Sequence, residues 1–168
     1  VAVGIGTALS DDPALTVRFG RRPRVAPVRV VFDPRGRLPL ASQLVRTAKR
    51  VPTWIVGDDL PAESATALAK AGVRLLSATG IPAQLLALRE AGVGHLMVEG
   101  GANLAGALLG SGVVDRLIIF QAPVLLGAGA LAGLGSFVPS AEGERRWEVV
   151  ERREFGDDQM TVYRPATR

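Results

Sequence analysis

The sequence predicts an α/β fold built on a mostly parallel sheet, and three observations carry that expectation. Apolar, β-branched runs recur along the chain. Helical patterns of about ten residues separate them. The tail holds two strand-like runs around a short polar turn, which pair as an antiparallel hairpin.

Each element has its own signal. Val1-Ala2-Val3-Gly4 reads as the middle of a strand and has no Met before it. Val28 to Phe32 (VRVVF) is a second strand, ended by Asp33-Pro34-Arg35-Gly36. Thr53 to Val56 (TWIV) stops at Gly57-Asp58-Asp59, and Gly72 to Leu76, His95 to Val98 and Leu117 to Gln121 follow. Runs apolar throughout are strands covered on both faces. Pro61 to Ala71 puts Ala65, Leu68 and Ala69 on one helix face, with Pro near its start and Gly72 just past its end. Pro82 to Ala91 repeats that device with Gly92, and Ala102 to Leu109 is the next helix. Trp147 to Arg153 and Met160 to Tyr163 form the hairpin around Gly156-Asp157-Asp158. Leu126 to Gly135 (LGAGALAGLG) is a mobile loop or an oligomer contact, and Trp54 and Trp147 are expected in the core. His95 is read as a buried or surface-capping histidine rather than a catalytic one, and Arg145-Arg146 and Arg152-Arg153 as solvated edge charges.

Composition narrows the function. At 168 residues and 48% hydrophobic content the chain can bury a core as one domain without staples. It has no Cys and a single His, so thiolate and multi-histidine metal sites are excluded and no metal is expected. A reducing cytoplasm is the natural setting. No apolar run reaches the roughly 18 residues of a membrane span. Net charge is +4 but uneven: the first fifty residues hold ten basic side chains, Arg18, Arg21, Arg22 and Arg35 among them, against Asp11, Asp12 and Asp33. A basic half points to a phosphate-bearing partner. Nucleic acid is not expected, because no aromatic residues interleave with these charges.

Three clusters fall at the carboxyl ends of strands, where ligands of open α/β sheets collect. They are Gly4-Ile5-Gly6-Thr7, Asp33-Pro34-Arg35 and Glu99-Gly100-Gly101. Glycines after a strand let the backbone approach a ligand, and the helix that follows offers free N–H groups and a positive dipole end to a phosphate. A tight βα connection accounts for Gly-Gly equally well. Asp11-Asp12-Pro13 is either a pair of working carboxylates or turn chemistry. The Arg18 fork suits a phosphate, or is a surface charge.

Gly6-Thr7-Ala8-Leu9-Ser10-Asp11-Asp12-Pro13-Ala14-Leu15-Thr16-Val17-Arg18 resembles the G-T-x-x-x-D-D-P-x-L-T-x-R pattern of a known family. That family is the reductase domain of the bacterial riboflavin-biosynthesis deaminase/reductase. Val30 to Pro39, Val98-Glu99-Gly100-Gly101-Ala102-Asn103-Leu104 and Ala122-Pro123-Val124-Leu125-Leu126-Gly127 resemble its later segments in the same order.

The resemblance implies a dihydrofolate reductase-like three-layer sandwich, with a mostly parallel central sheet and a C-terminal antiparallel hairpin. It implies an NADPH-dependent reductase that converts 5-amino-6-(5-phosphoribosylamino)uracil to its ribitylamino product, hydride going to C1′ of the opened sugar. Thr7 and Asp11 would contact the cofactor, and Gly100, Gly101, Ala102, Asn103, Leu104, Ala105 and Gly106 would carry its diphosphate. Arg35 is a candidate for its 2′-phosphate, and other arginines nearby could serve. Leu15 and Arg18 would hold the phosphorylated pyrimidine riboside. Glu99 would lie against the substrate and is the first candidate proton donor, Asp11 the second. The family and the apolar Ala122 to Leu134 stretch imply a homodimer, and a deaminase domain fused upstream is a further expectation. The family also opens with a K-x-x-x-S-x-D-G strand that this sequence does not show, so residues 1–168 are expected to be a single reductase domain lacking its first strand and helix. The alternative is a dinucleotide-binding module of a larger enzyme, catalytically incomplete by itself.

Overall fold

β1 (Ala2–Gly4), β2 (Arg29–Phe32), β3 (Thr53–Gly57) and β4 (Arg74–Ser77) form a parallel sheet in that order. The registers run Ala2 to Val30, Val30 to Trp54 and Ile55 to Leu75. This computed structural model describes residues 1–18, 20, 23–135 and 146–166. Phe19, Arg21, Arg22, residues 136–145, Thr167 and Arg168 lie outside the described residues, so Arg21 and Arg22 of the basic half and Arg145 receive no structural account.

Alternation along the strands splits the core into two layers. Val3, Val31 and Ile55 point to one face, where they pack with Ile5 and Ala8 of α1 (Ile5–Asp11), Leu44 and Val45 of α2 (Gln43–Arg46) and Leu68 of α3 (Ala62–Lys70). Ala2, Val30, Phe32 and Val56 point to the other, against Leu88 of α4 (Ile81–Glu90) and Leu104 and Leu108 of α5 (Ala102–Gly110). Helices on both faces of one sheet make the expected three layers. Truncating a fully buried residue such as Leu88 to Ala would cost about 2–5 kcal/mol.

Several expectations need correction. Leu117–Gln121 does form a strand, β5, but not in the parallel sheet. It pairs antiparallel with β7 (Asp158–Pro165), which pairs with β6 (Trp147–Phe155), in a separate sheet ordered β5-β7-β6. His95 to Val98 is not a full strand. It contributes one parallel bridge, Val98 beside Ala2, with Ala2 N–H donating to Met97 O at 2.7 Å and Glu99 N–H donating to Ala2 O at 2.8 Å. β1 pairs with β2 over all three of its residues, whereas this arm keeps only the rung at Ala2. His95 is exposed, not buried. Trp54 packs half-buried under the Arg74 guanidinium, 4.5 Å from its ring centroid. Trp147 is half-buried at the sheet edge and belongs to neither core layer. Arg146, Arg152 and Arg153 are exposed, as edge charges should be, and Arg153 pairs with Glu151.

One charged side chain crosses the first core layer. Arg29 is fully buried at the start of β2. One terminal nitrogen donates to Ala14 O at 3.1 Å and Thr47 Oγ1 at 2.8 Å. The other donates to Leu44 O, Val51 O and Thr53 Oγ1 at 3.2, 2.8 and 2.6 Å. Burial, with Arg50 nearby, lowers its pKa from the usual arginine range. Its acceptors are carbonyls and hydroxyls, so it works as a clamp that pins the segment after α1 to α2 and β3.

Candidate active site

The carboxyl ends of β1 and β2 and the starts of α4 and α5 surround one cavity of about 630 Å³. That is within the range of small-molecule and cofactor sites. Gly4, Gly6, Thr7 and Ser10 line it from the first cluster; Phe32, Pro34 and Arg37 from the second; Gly101, Ala102, Asn103 and Leu104 from the third. Segments about a hundred residues apart in the chain thus meet in one hollow.

Thr7 and Gly101 approach closely there. A Cβ built on Gly101 would lie 3.0 Å from Thr7 Oγ1. Gly101 also has φ +84°, which an L side chain rarely adopts. It is the N-cap of α5, and no side chain caps that helix. The first-turn N–H groups therefore have no intrahelical partner, and their residues, Ala102 to Leu104, line the cavity. With the dipole of a nine-residue helix behind them, they favour an anion.

The turn after β2 is built by Asp33. Its buried carboxylate accepts from Leu38 N–H at 2.8 Å, and its carbonyl accepts from Gly36 N–H at 3.4 Å. Asp33 is thus a turn builder. The turn brings Pro34 and Arg37 to the cavity, and Arg35 is not among the lining residues.

Other expected residues sit around the cavity without lining it. Gly100, Ala105 and Gly106 flank the α5 start but are not lining residues. Glu99 is exposed at the end of the arm bridged to β1. Asp11 ends α1, and its Oδ1 accepts from Ser10 Oγ at 2.6 Å. Asp12 is structural: its Oδ1 accepts from Gln43 N–H and its carbonyl accepts from Gln43 Nε2, both at 2.7 Å. Asp12 and Leu15 both adopt positive φ, +40° and +47°. Such conformations in non-glycine residues persist where surrounding structure holds them, and here the Gln43 and Arg29 contacts do so. Leu15 packs on the first core layer and Arg18 is exposed beyond it.

Sequence reasoning missed Gln84 and Ile81 at the start of α4, and Leu131, Ala132 and Gly135 of the glycine-rich loop. The loop reaches the α5 start: a Cβ on Gly135 would lie 2.8 Å from Ala102 O and 2.9 Å from Asn103 Oδ1. A smaller hollow of about 390 Å³ beside the β6–β7 turn is lined by Glu154, Asp157 and Asp158, and its acidity does not suit phosphates. Among the described residues no group of His, Cys, Asp or Glu could hold a metal ion.

The profile of the RibD C-terminal domain family matches residues 1–160. The chain is 38% identical over 135 residues to the riboflavin biosynthesis protein RibD of Aquifex aeolicus, covering 79% of this chain and 37% of that protein. It is 32% identical over 170 residues to the 2,5-diamino-6-ribosylamino-4(3H)-pyrimidinone 5′-phosphate reductase of Methanothermobacter thermautotrophicus, covering 97% and 78%. The structure superposes on Acinetobacter baumannii RibD with a TM-score of 0.80 at 27% identity, over 98% of this chain and 46% of that one. The chain therefore spans less than half the length of these RibD proteins. Matched in sequence from its first residue to the last strand, and in three dimensions over nearly its whole length, the chain belongs to the RibD C-terminal domain family.

Proposed function

We propose that this chain is an NADPH-dependent reductase of riboflavin biosynthesis, acting on 5-amino-6-(5-phosphoribosylamino)uracil. The observation that carries the reading is the meeting of Thr7, Gly101, the uncapped start of α5 and Arg37 in one cavity. The residues fit a dinucleotide. Its diphosphate goes to the N–H groups of Ala102 to Leu104, and Gly101 leaves room for it beside Thr7. NADPH is preferred to NADH because Arg37, not Arg35, offers a guanidinium to a 2′-phosphate at the cavity wall.

The bound cofactor supplies the hydride, and the chain supplies position and a proton. Hydride transfer needs aligned reactants, and positioning accounts for much of the rate. Arg18, on the segment held by Arg29, takes the substrate phosphate. Leu15 contacts the substrate beside it. Glu99, one residue before the Gly-Gly turn, gives the proton that the sugar or amine needs as C1′ is reduced, with Asp11 as the second candidate.

The same reading includes a homodimer, a deaminase attached upstream and a cytoplasmic setting. Ile118, Phe120, Val124 and Leu125 are exposed on and after β5, apolar side chains that a second copy would cover. Among the described residues no helix is long and apolar enough to cross a membrane.

The test is direct. Protein, NADPH and substrate are mixed and the reduced-nicotinamide absorbance is followed. Its decay at a rate set by enzyme concentration supports the reading. Binding of NADPH without oxidation supports the dinucleotide-binding module instead.

A further inference from the structure

We propose that Gln84 reads the adenine ring of the dinucleotide by accepting a hydrogen bond from its 6-amino group. The inference rests on the NADPH reading and adds a specificity determinant to it. Gln84 lies in the first turn of α4, is only 5% exposed, and lines the cavity beside Ile81, Phe32, Pro34 and Arg37.

Its amide can face only one way. Nε2 donates to Asp58 Oδ1 and to Ala78 O, the second at 3.2 Å. A carboxylate oxygen and a backbone carbonyl are acceptors, so both N–H bonds of the amide are spent there. A flipped amide would set its own oxygen against two others. Oε1 is therefore turned away from Asp58, and among the described residues no donor reaches it. That oxygen is not among the buried atoms left without a partner, so it is open to the cavity and available to a donor that enters it.

The surroundings say what enters. Ile81, Phe32 and Pro34 are apolar walls suited to a flat ring. With the diphosphate on the start of α5 and the 2′-phosphate on Arg37, the adenosine half occupies this side of the cavity. The adenine 6-amino group is a donor and its ring nitrogens are acceptors, so the amino group is what Oε1 matches. Hypoxanthine carries an oxygen at that position and would set it against Oε1. The site should therefore select adenine from its oxo analogue, as sites with a committed polar partner do.

The experiment compares NADPH with its hypoxanthine analogue, deamino-NADPH, on the full chain, by Kd and by kcat/KM. The wild-type protein should favour NADPH about tenfold or more. Gln84→Met keeps the length of the side chain and removes the amide, and should bring the ratio to about twofold or less. Asp58→Asn, which leaves Gln84 in place but frees its amide to rotate, should lower the ratio as well; it keeps the test open if the Met variant fails to fold. Equal affinity of the wild type for the two cofactors would overturn the inference and leave the reductase reading standing. Equal weakening of both cofactors by Gln84→Met would overturn it too, assigning Gln84 to a ribose hydroxyl or to structure alone. Failure to bind either cofactor would overturn the underlying reading instead.

Discussion

Replacing Gly101 with Ala probes the point where the two distant segments meet. Its φ of +84° is rarely adopted by L residues, at roughly 1–3 kcal/mol. The added methyl would also sit 3.0 Å from Thr7 Oγ1, tighter than ordinary contact. About 2 kcal/mol of strain in a domain of this size lowers Tm by about 4–8 °C. Either Thr7 or the α5 start must shift, and both line the cavity, so NADPH affinity should fall about tenfold or more. Gly92→Ala is the control. Gly92 has φ +102°, and nothing lies within 4 Å of its Cβ position. It carries comparable backbone strain after α4, outside the cavity lining, so Tm should fall while affinity holds. Thermal melts with and without NADPH, and a fluorescence titration, read both quantities. Wild-type NADPH affinity in Gly101→Ala, or an equal loss in Gly92→Ala, would refute the argument.

Four further outcomes follow from the same geometry. Arg37→Ala should raise the KM for NADPH about tenfold or more and leave that for NADH unchanged, whereas Arg35→Ala should do neither; steady-state kinetics with both cofactors checks this. Arg18→Ala should raise the substrate KM strongly with NADPH affinity intact, and equal losses in both would remove Arg18 from the phosphate. Glu99→Gln should cut kcat about a hundredfold with little change in binding, measured in single turnovers. Arg29→Met should destabilise by about 3 kcal/mol or more in denaturant melts, because it strips charged donors from buried carbonyls and hydroxyls. A Met variant as stable as wild type would show that those acceptors find other partners.

Much of the fold was legible because its signals are local. Val30, Val31 and Phe32 are apolar without interruption because both sheet faces are covered, and Gly72 and Gly92 mark where α3 and α4 stop. α1 was not legible: seven residues with Gly6 inside carry weak helix propensity, and burial of Ile5 and Ala8 holds them. α2 is a single turn capped by Ser42, whose Oγ accepts from Val45 N–H. The pairing of β5 depends on β7, some forty residues later, and no local pattern reports it.

The site was legible in part for the same reason. Gly-Gly before a helix is a local motif, and the structure brings it to Thr7 as the motif order implies. Choosing between Arg35 and Arg37 was beyond the sequence, since the Asp33 to Leu38 hydrogen bond and the turn at Gly36 decide which arginine reaches the cavity. Gln84 arrives through packing of α4 with no recognisable motif beside it, and Gly135 ends the glycine-rich run that the sequence marked as a loop or oligomer contact but did not connect to the site.

The most direct measurement is a crystal structure of this chain grown with NADP⁺. The diphosphate should lie on the N–H groups of Ala102 to Leu104 beside Thr7, with the 2′-phosphate against Arg37 and the adenine against Ile81 and Gln84. A dinucleotide bound elsewhere, with the hollow between Thr7 and Gly101 empty, would contradict the account.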